Sequence, residues 1–309
     1  MRKSLCVLAA SCAVSVSVLA WASDKPIEVK PGEAIPSKAI KTNHLGPFKN
    51  DMPAVLPMVV VSFQTSATEK GSGGGSFMMG MGSNLEYKLD GISPELMQKI
   101  ADEAQQAVEG ELKAAGWQIM PAEKLVDMEE YKSWTKSPDR SGEETKRAFF
   151  SVGKGTNTFS SKEMERVFVG GKRPLVGNGV VLGGWTAAPS ICKLGKAAGA
   201  KVILFRVIVN FANITAGTNN VFTGRQGYKS GTSLEISYAE MDVYPPDANG
   251  ATPARIDTDL PVTMHSEFAK DVQKSKAVYT VVADPDVYEK DTVEAIRSVA
   301  KGFAAESNK

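Results

Sequence analysis

The residues able to do chemistry in this chain are few and scattered. There are two histidines, His44 and His265, and three cysteines, Cys6, Cys12 and Cys192. A histidine acting as a general base needs a nucleophile or a second polar group within hydrogen-bond reach, and the spacing of these residues brings no such partner to either one. No Gly-x-Ser-x-Gly turn is present to expose a serine nucleophile, and the metal spacings His-Glu-x-x-His and Cys-x-x-Cys are absent. The acidic pairs Glu129-Glu130 and Glu143-Glu144 are adjacent in sequence, so they read as solvated charge rather than as carboxylates converging on a bond. Met78, Met79 and Met81 carry soft sulfur that suits Cu(I). Without a histidine or cysteine beside them they read better as an adaptable apolar contact surface. Gly177-x-Gly179-x-x-x-Gly183, with Arg206 downstream for a 2′-phosphate, misses the spacing of a dinucleotide fingerprint. No catalytic residue, metal or cofactor is assigned, and an enzyme is not expected. The remaining catalytic alternative is an exported hydrolase whose dispersed site forms only on folding.

The start of the chain indicates where it works. Arg2 and Lys3 precede an apolar stretch over residues 5–19 and the small-x-small triplet Ala20-Trp21-Ala22, the pattern of a secretory signal cleaved after Ala22. The expected location is the periplasm or beyond. A small residue before Cys12 gives a partial lipoprotein pattern, but its leucine, Leu8, stands one place too early and the apolar run continues past the cysteine. Ordinary cleavage leaves Cys192 as the one thiol, so no intramolecular disulfide forms and the fold must rest on its core. Cleavage also takes 2 of the 36 basic residues, leaving 34 against 35 acidic. That balance lacks the footprint of a nucleic-acid-binding chain.

Several elements are legible from patterning. Residues 23–52 are punctuated by proline, lysine and glycine and predict an extended N-terminal arm. Residues 55–63 form a near-continuous apolar run, the signature of a strand buried on both faces. The glycine- and methionine-rich stretch 65–90 predicts a loop or hairpin. A helix follows over 94–115, with Ser93 as N-cap, Pro94 at the first position, Gly116 in the left-handed position after it, and Leu96, Ile100, Ala104, Val108, Leu112 and Ala115 on one face. Residues 117–120 predict a strand, and 122–134 a short helical segment. A glycine-rich insertion spans about 137–189, strands are expected at 202–211, 233–244 and 254–262, and an amphipathic helix, opened by Asp291 and Glu294, ends the chain.

This order resembles the curli-secretion-channel (CsgG-like) and TolB N-terminal families. The resemblance is carried by Ala115-Gly116-Trp117-Gln118-Ile119-Met120-Pro121 and by the step Leu194-Gly195-Lys196-Ala197-Ala198-Gly199-Ala200-Lys201-Val202-Ile203-Leu204, and it covers about half of the mature chain. It implies an α/β domain over residues 53–309 with a mixed sheet covered by helices, and an assembly or binding role in a secretion or surface-structure system. In the curli channel, hairpins between these strands extend into a membrane barrel. Residues 212–232 occupy an equivalent place here but lack the alternation of a lipid-facing strand, so pore formation is not expected. The contact residues implied are Phe77, Met78, Met79, Met81, Phe211, Asn213, Phe222, Arg225 and Tyr228. The expected partners are envelope or secreted proteins and further copies of the chain, with peripheral outer-membrane association and no nucleic acid. A periplasmic carrier of a small apolar or amphipathic ligand, its cavity lined by the insertion and Trp185, is the alternative.

Overall fold

The computed structural model describes residues 26–43, 48, 51–70, 84–121, 123–135, 144–146, 155–160, 183–220, 225–246, 253–275 and 278–309. Along these the chain forms β1 (Ile27–Val29), β2 (Ile40–Asn43), β3 (Ala54–Lys70), β4 (Asn84–Asp90), α1 (Pro94–Ala114), α2 (Glu123–Val126), α3 (Glu129–Thr135), β5 (Glu144–Lys146) and β6 (Gly155–Ser160). It continues through α4 (Gly183–Ala198), β7 (Lys201–Asn220), β8 (Arg225–Tyr244), β9 (Ala254–Thr258), β10 (Val262–Met264), β11 (Ala269–Ser275), β12 (Val278–Ala283) and α5 (Pro285–Ser307). The protein is thus a mixed α/β protein built on one large sheet, in the order β1-β10-β8-β7-β3-β4-β12-β11, with β9 and β2 branching from β8, and β6 and β5 from β3. Pairs β3–β7, β4–β12 and β1–β10 are parallel and the others antiparallel.

Strands β7 and β4 occupy one edge of β3 in succession, β7 along residues 54–63 and β4 along 66–70, with β6 on the other edge. We call the face under α1 and α5 concave and the face under α2 to α4 convex. The concave face holds the main core, including Phe205, Val207, Val209 and Phe211 of β7 and Ala239, Met241 and Val243 of β8. Against it pack Ile100, Ala104, Val108 and Leu112 of α1 and Ile296, Val299 and Phe303 of α5, with the Phe205 and Phe303 rings 5.7 Å apart. On the convex face Val55, Met58, Val60, Val202, Leu204 and Tyr244 meet Leu125, Tyr131, Ile191, Cys192 and Leu194 from the segments α2 to α4. Burial on both faces explains the continuous apolar run that marked β3.

The helix α1 forms as its sequence predicts. The Ser93 hydroxyl accepts from the Leu96 N–H at 3.3 Å, and Gly116 takes φ +94°, a conformation glycine adopts without a side-chain clash. Its buried Gln105 answers a defect in β3. Pro57 has no N–H to give the ladder, and the β3–β7 register is irregular between Val55 and Met58. There Gln105 Oε1 accepts from the Val59 N–H at 2.7 Å, and Gln105 Nε2 donates to the Leu56 carbonyl at 3.1 Å.

Other expectations are corrected. The stretch read as an arm is extended, but it is held by the fold: β1 pairs with β10, β2 with β9, the Ile35 N–H donates to the Ser298 carbonyl at 3.1 Å, and Ile35 lies so close to Gly302 that a Cβ there would stand 2.3 Å from its Cγ1. Residues 117–120 make one isolated bridge, Ile119 to Ala54, instead of a strand, because the Trp117 side chain is drawn into the core and its indole donates to Ser307. The strand expected at 254–262 is two, β9 and β10. The last helix opens at Pro285, two turns earlier than Asp291 suggested. Its N-cap is Asp284, which accepts from the N–H groups of Asp286 and Val287. The insertion expected at 137–189 contributes β5, β6 and the first turns of α4.

Candidate interaction surface

Strands β7 and β8 are each 20 residues long, and their pairing runs from Val202 opposite Tyr244 out to Asn220 opposite Arg225. The neighbouring strands stop short of that length. The pairing of β3 with β7 ends at Phe63 and Val209, β10 meets β8 at residues 234–236, and β9 meets it at 240–243. Among the described residues, therefore, 212–220 and 225–233 are paired with one another alone, and they project as a two-stranded ribbon. Three register irregularities, near Ile208, Phe211 and residues 216–219, bend and twist it. Because β3 runs parallel to β7, the hairpin from β3 to β4 leaves the same end of the sheet.

The expected contact residues divide. Phe211 is wholly buried in the core. Its side chain is on the concave face with Val207 and Val209, so it anchors the base of the hairpin and offers a partner no surface. That expectation is corrected. The backbones of Asn213, Arg225 and Tyr228 belong to the projecting ribbon. Phe77, Met78, Met79, Met81 and Phe222 lie outside the described residues, and so does the side chain of Trp185.

Below the ribbon, the convex face of β7, β8 and β9 carries a row of buried charge that sequence reading missed. Arg206 stands across from Glu240 in register and pairs with its carboxylate, which is 1% exposed. The Tyr238 hydroxyl donates to Glu240 Oε2 at 2.5 Å, and Arg255 Nη1 is 3.6 Å from the same oxygen. Arg255 also grips Asp242 with both arms of its guanidinium, Nε to Oδ1 at 2.7 Å and Nη2 to Oδ2 at 2.9 Å. Burial lowers the pKa of Arg206, though Asp242 opposes that shift. For Arg255 burial acts in the same direction, but its bonds to Asp242 and that residue's charge outweigh it and the pKa rises. Burial, helped by Asp257, pushes the Tyr238 hydroxyl up to about 12, and burial raises Tyr244 as well.

Two guanidinium groups thus face two carboxylates, and the tyrosines stay protonated across the physiological range. The arrangement pairs charge with charge inside a buried row. Its chemical effect is to fix register, since a one-residue slip of β8 would turn Glu240 and Asp242 into the concave core. Arg206, weighed from sequence as a phosphate ligand, is committed to this row. The available signal was the period-two alternation of polar 238, 240, 242 and 244 with apolar 239, 241 and 243. Elsewhere, Cys192 is a buried free thiol and His265 is exposed. Among the described residues no group of three metal-ligating side chains gathers, and no helix is long and apolar enough to cross a membrane.

The fold and surface together define a mixed α/β protein with a projecting strand ribbon. Comparison of the chain with protein-family models, curated proteins and solved structures yields no match.

Proposed function

We propose that the protein is an exported, envelope-associated scaffold or accessory binding component of a secretion, assembly or surface-structure system, with a CsgG/TolB-N-like α/β domain. The observation that carries this reading is the β7–β8 ribbon, whose outer strands are partnered only by each other among the described residues. An isolated two-stranded ribbon is marginally stable in water, and its outward backbone groups are a template for strand addition by another chain. The signal-like first 22 residues supply the export, and the charge-locked base of the ribbon supplies the rigid mount that such a contact needs.

The test is to shorten the ribbon. Replacing residues 213–230 with a two-residue Asn-Gly turn removes the ribbon and keeps the inner halves of β7 and β8 and the ionic row. The expected variant melts as the parent does and no longer joins envelope partners or further copies of itself in cross-linking on intact cells. Retained association would contradict the reading.

A further inference from the structure

The corner between β4 and α1 sets a carboxyl group against the backbone nitrogen that follows it. Asp90 is the last residue of β4 and the only aspartate of the chain that a glycine follows. Its side chain accepts from the Gly91 N–H, with Oδ1 at 2.8 Å from the nitrogen. The carboxyl carbon, one bond beyond that oxygen, therefore lies within about 4 Å of the same nitrogen. Both residues are exposed, so water reaches the pair. Gly91 holds φ +86° and carries no side chain to shield its nitrogen. Asp271 supplies a comparison within the same chain. Its Oδ1 also accepts from the next N–H, that of Val272, at 2.8 Å, but there a branched side chain crowds the nitrogen.

We propose that Asp90 is a site of spontaneous main-chain modification to isoaspartate. The Gly91 nitrogen forms a bond to Cγ of the neutral carboxylic acid. The proton of that nitrogen and the hydroxyl of the acid leave as water, and a five-membered succinimide results. One water molecule then adds back. Opening at Cγ restores aspartate, whereas opening at the α-carbonyl routes the main chain through the side chain and leaves a free α-carboxylate. Water is the only co-reactant, and no electrons are gained or lost. Holding nucleophile and carbonyl together is the part of the barrier that the folded corner removes. The product carries one extra methylene in the main chain at a tight place. Asp90 pairs with Val282 of β12, and even a Cβ on Gly91 would stand 2.9 Å from the Ala283 carbonyl oxygen, so the longer chain cannot keep both contacts.

The test ages the full chain for several weeks in water enriched in the heavy oxygen isotope and then digests it with trypsin in ordinary water. Each passage through the succinimide leaves one solvent oxygen in the residue, which fragmentation in the mass spectrometer localises. Asp90 is expected to gain heavy oxygen at least tenfold faster than Asp271, and its tryptic fragment to split into two species of equal composition. Asp90→Glu keeps the charge at this exposed position but enlarges the ring that must close, and it should lose both the exchange and the split. A urea-unfolded chain aged alongside tests the geometry, since the native chain is expected to exchange at least as fast. Exchange at Asp90 no greater than at Asp271, a split that persists in Asp90→Glu, or a native rate tenfold below the unfolded one overturns the inference. The assembly reading is independent of all three results, because association alone decides it.

Discussion

Gln105 is the residue whose replacement speaks most directly to how the sheet tolerates Pro57. Its amide supplies both the acceptor and the donor that the irregular stretch of β3 cannot find in β7. Gln105→Leu keeps the volume but leaves two buried backbone groups unmet, an expected loss of about 2–4 kcal/mol by denaturant titration. Glu240→Ala removes the carboxylate that Arg206 pairs with, and breaking such a buried pair costs about 3–5 kcal/mol; a double variant with Arg206→Met should recover much of that loss. The helix cap at Asp284 gives a pH dependence of known sign. The hydrogen bond from Lys270, then those from the backbone of Val287 and Asp286, hold its pKa below the usual carboxylate range. A depressed carboxylate contributes stability that is present above its unfolded value and is lost as pH falls through its folded one. The acid limb of a stability–pH profile should therefore flatten in Asp284→Asn. Gln105 acts on β3 groups some 46 residues away, which no local pattern reveals, whereas the alternation around Glu240 and the Asp284-Pro285 cap were local signals that the reading passed over.

At the scale of elements, what the sequence made legible was what local rules decide. The cap, the apolar stripe and the terminal glycine of α1 lie within one contiguous segment, so residues 94–115 predict the helix almost to its ends. The strands β3, β7 and β8 were visible as apolar or alternating runs. The N-terminal arm was misjudged because its binding is tertiary. Ile35 seats against Gly302 and its N–H meets the Ser298 carbonyl, while Lys301 Nζ donates to the Gly32 carbonyl at 2.8 Å. Gly302→Val should therefore displace Ile35 and loosen the arm, read as faster amide exchange over residues 27–43 with little change over α1. Exchange unchanged in the arm would contradict this account. An amphipathic stripe alone leaves open whether the carboxy-terminal helix packs on its own domain or on a neighbour. It packs on α1 and the sheet, burying Ile296, Val299 and Phe303. Removing it should unfold the domain rather than dissociate an assembly.

For the whole molecule, the large mixed sheet, the helices α1 and α5 packed on one face and the charge-paired strands below the ribbon carry a projecting β7–β8 hairpin. The glycine- and methionine-rich stretch, on which much of the sequence-based contact surface was placed, falls outside the described residues. The proposed interaction rests accordingly on the ribbon. The proposal of an assembly component stands or falls on association. The direct measurement is the absolute mass of the protein, expressed as residues 23–309, by light scattering after size-exclusion chromatography, with and without mild detergent, for the parent chain and for the variant with a shortened ribbon. The account predicts a discrete assembly, of copies or with a co-purifying envelope protein, that the shortened variant fails to form. A parent chain that runs as a partnerless monomer in both conditions would contradict it.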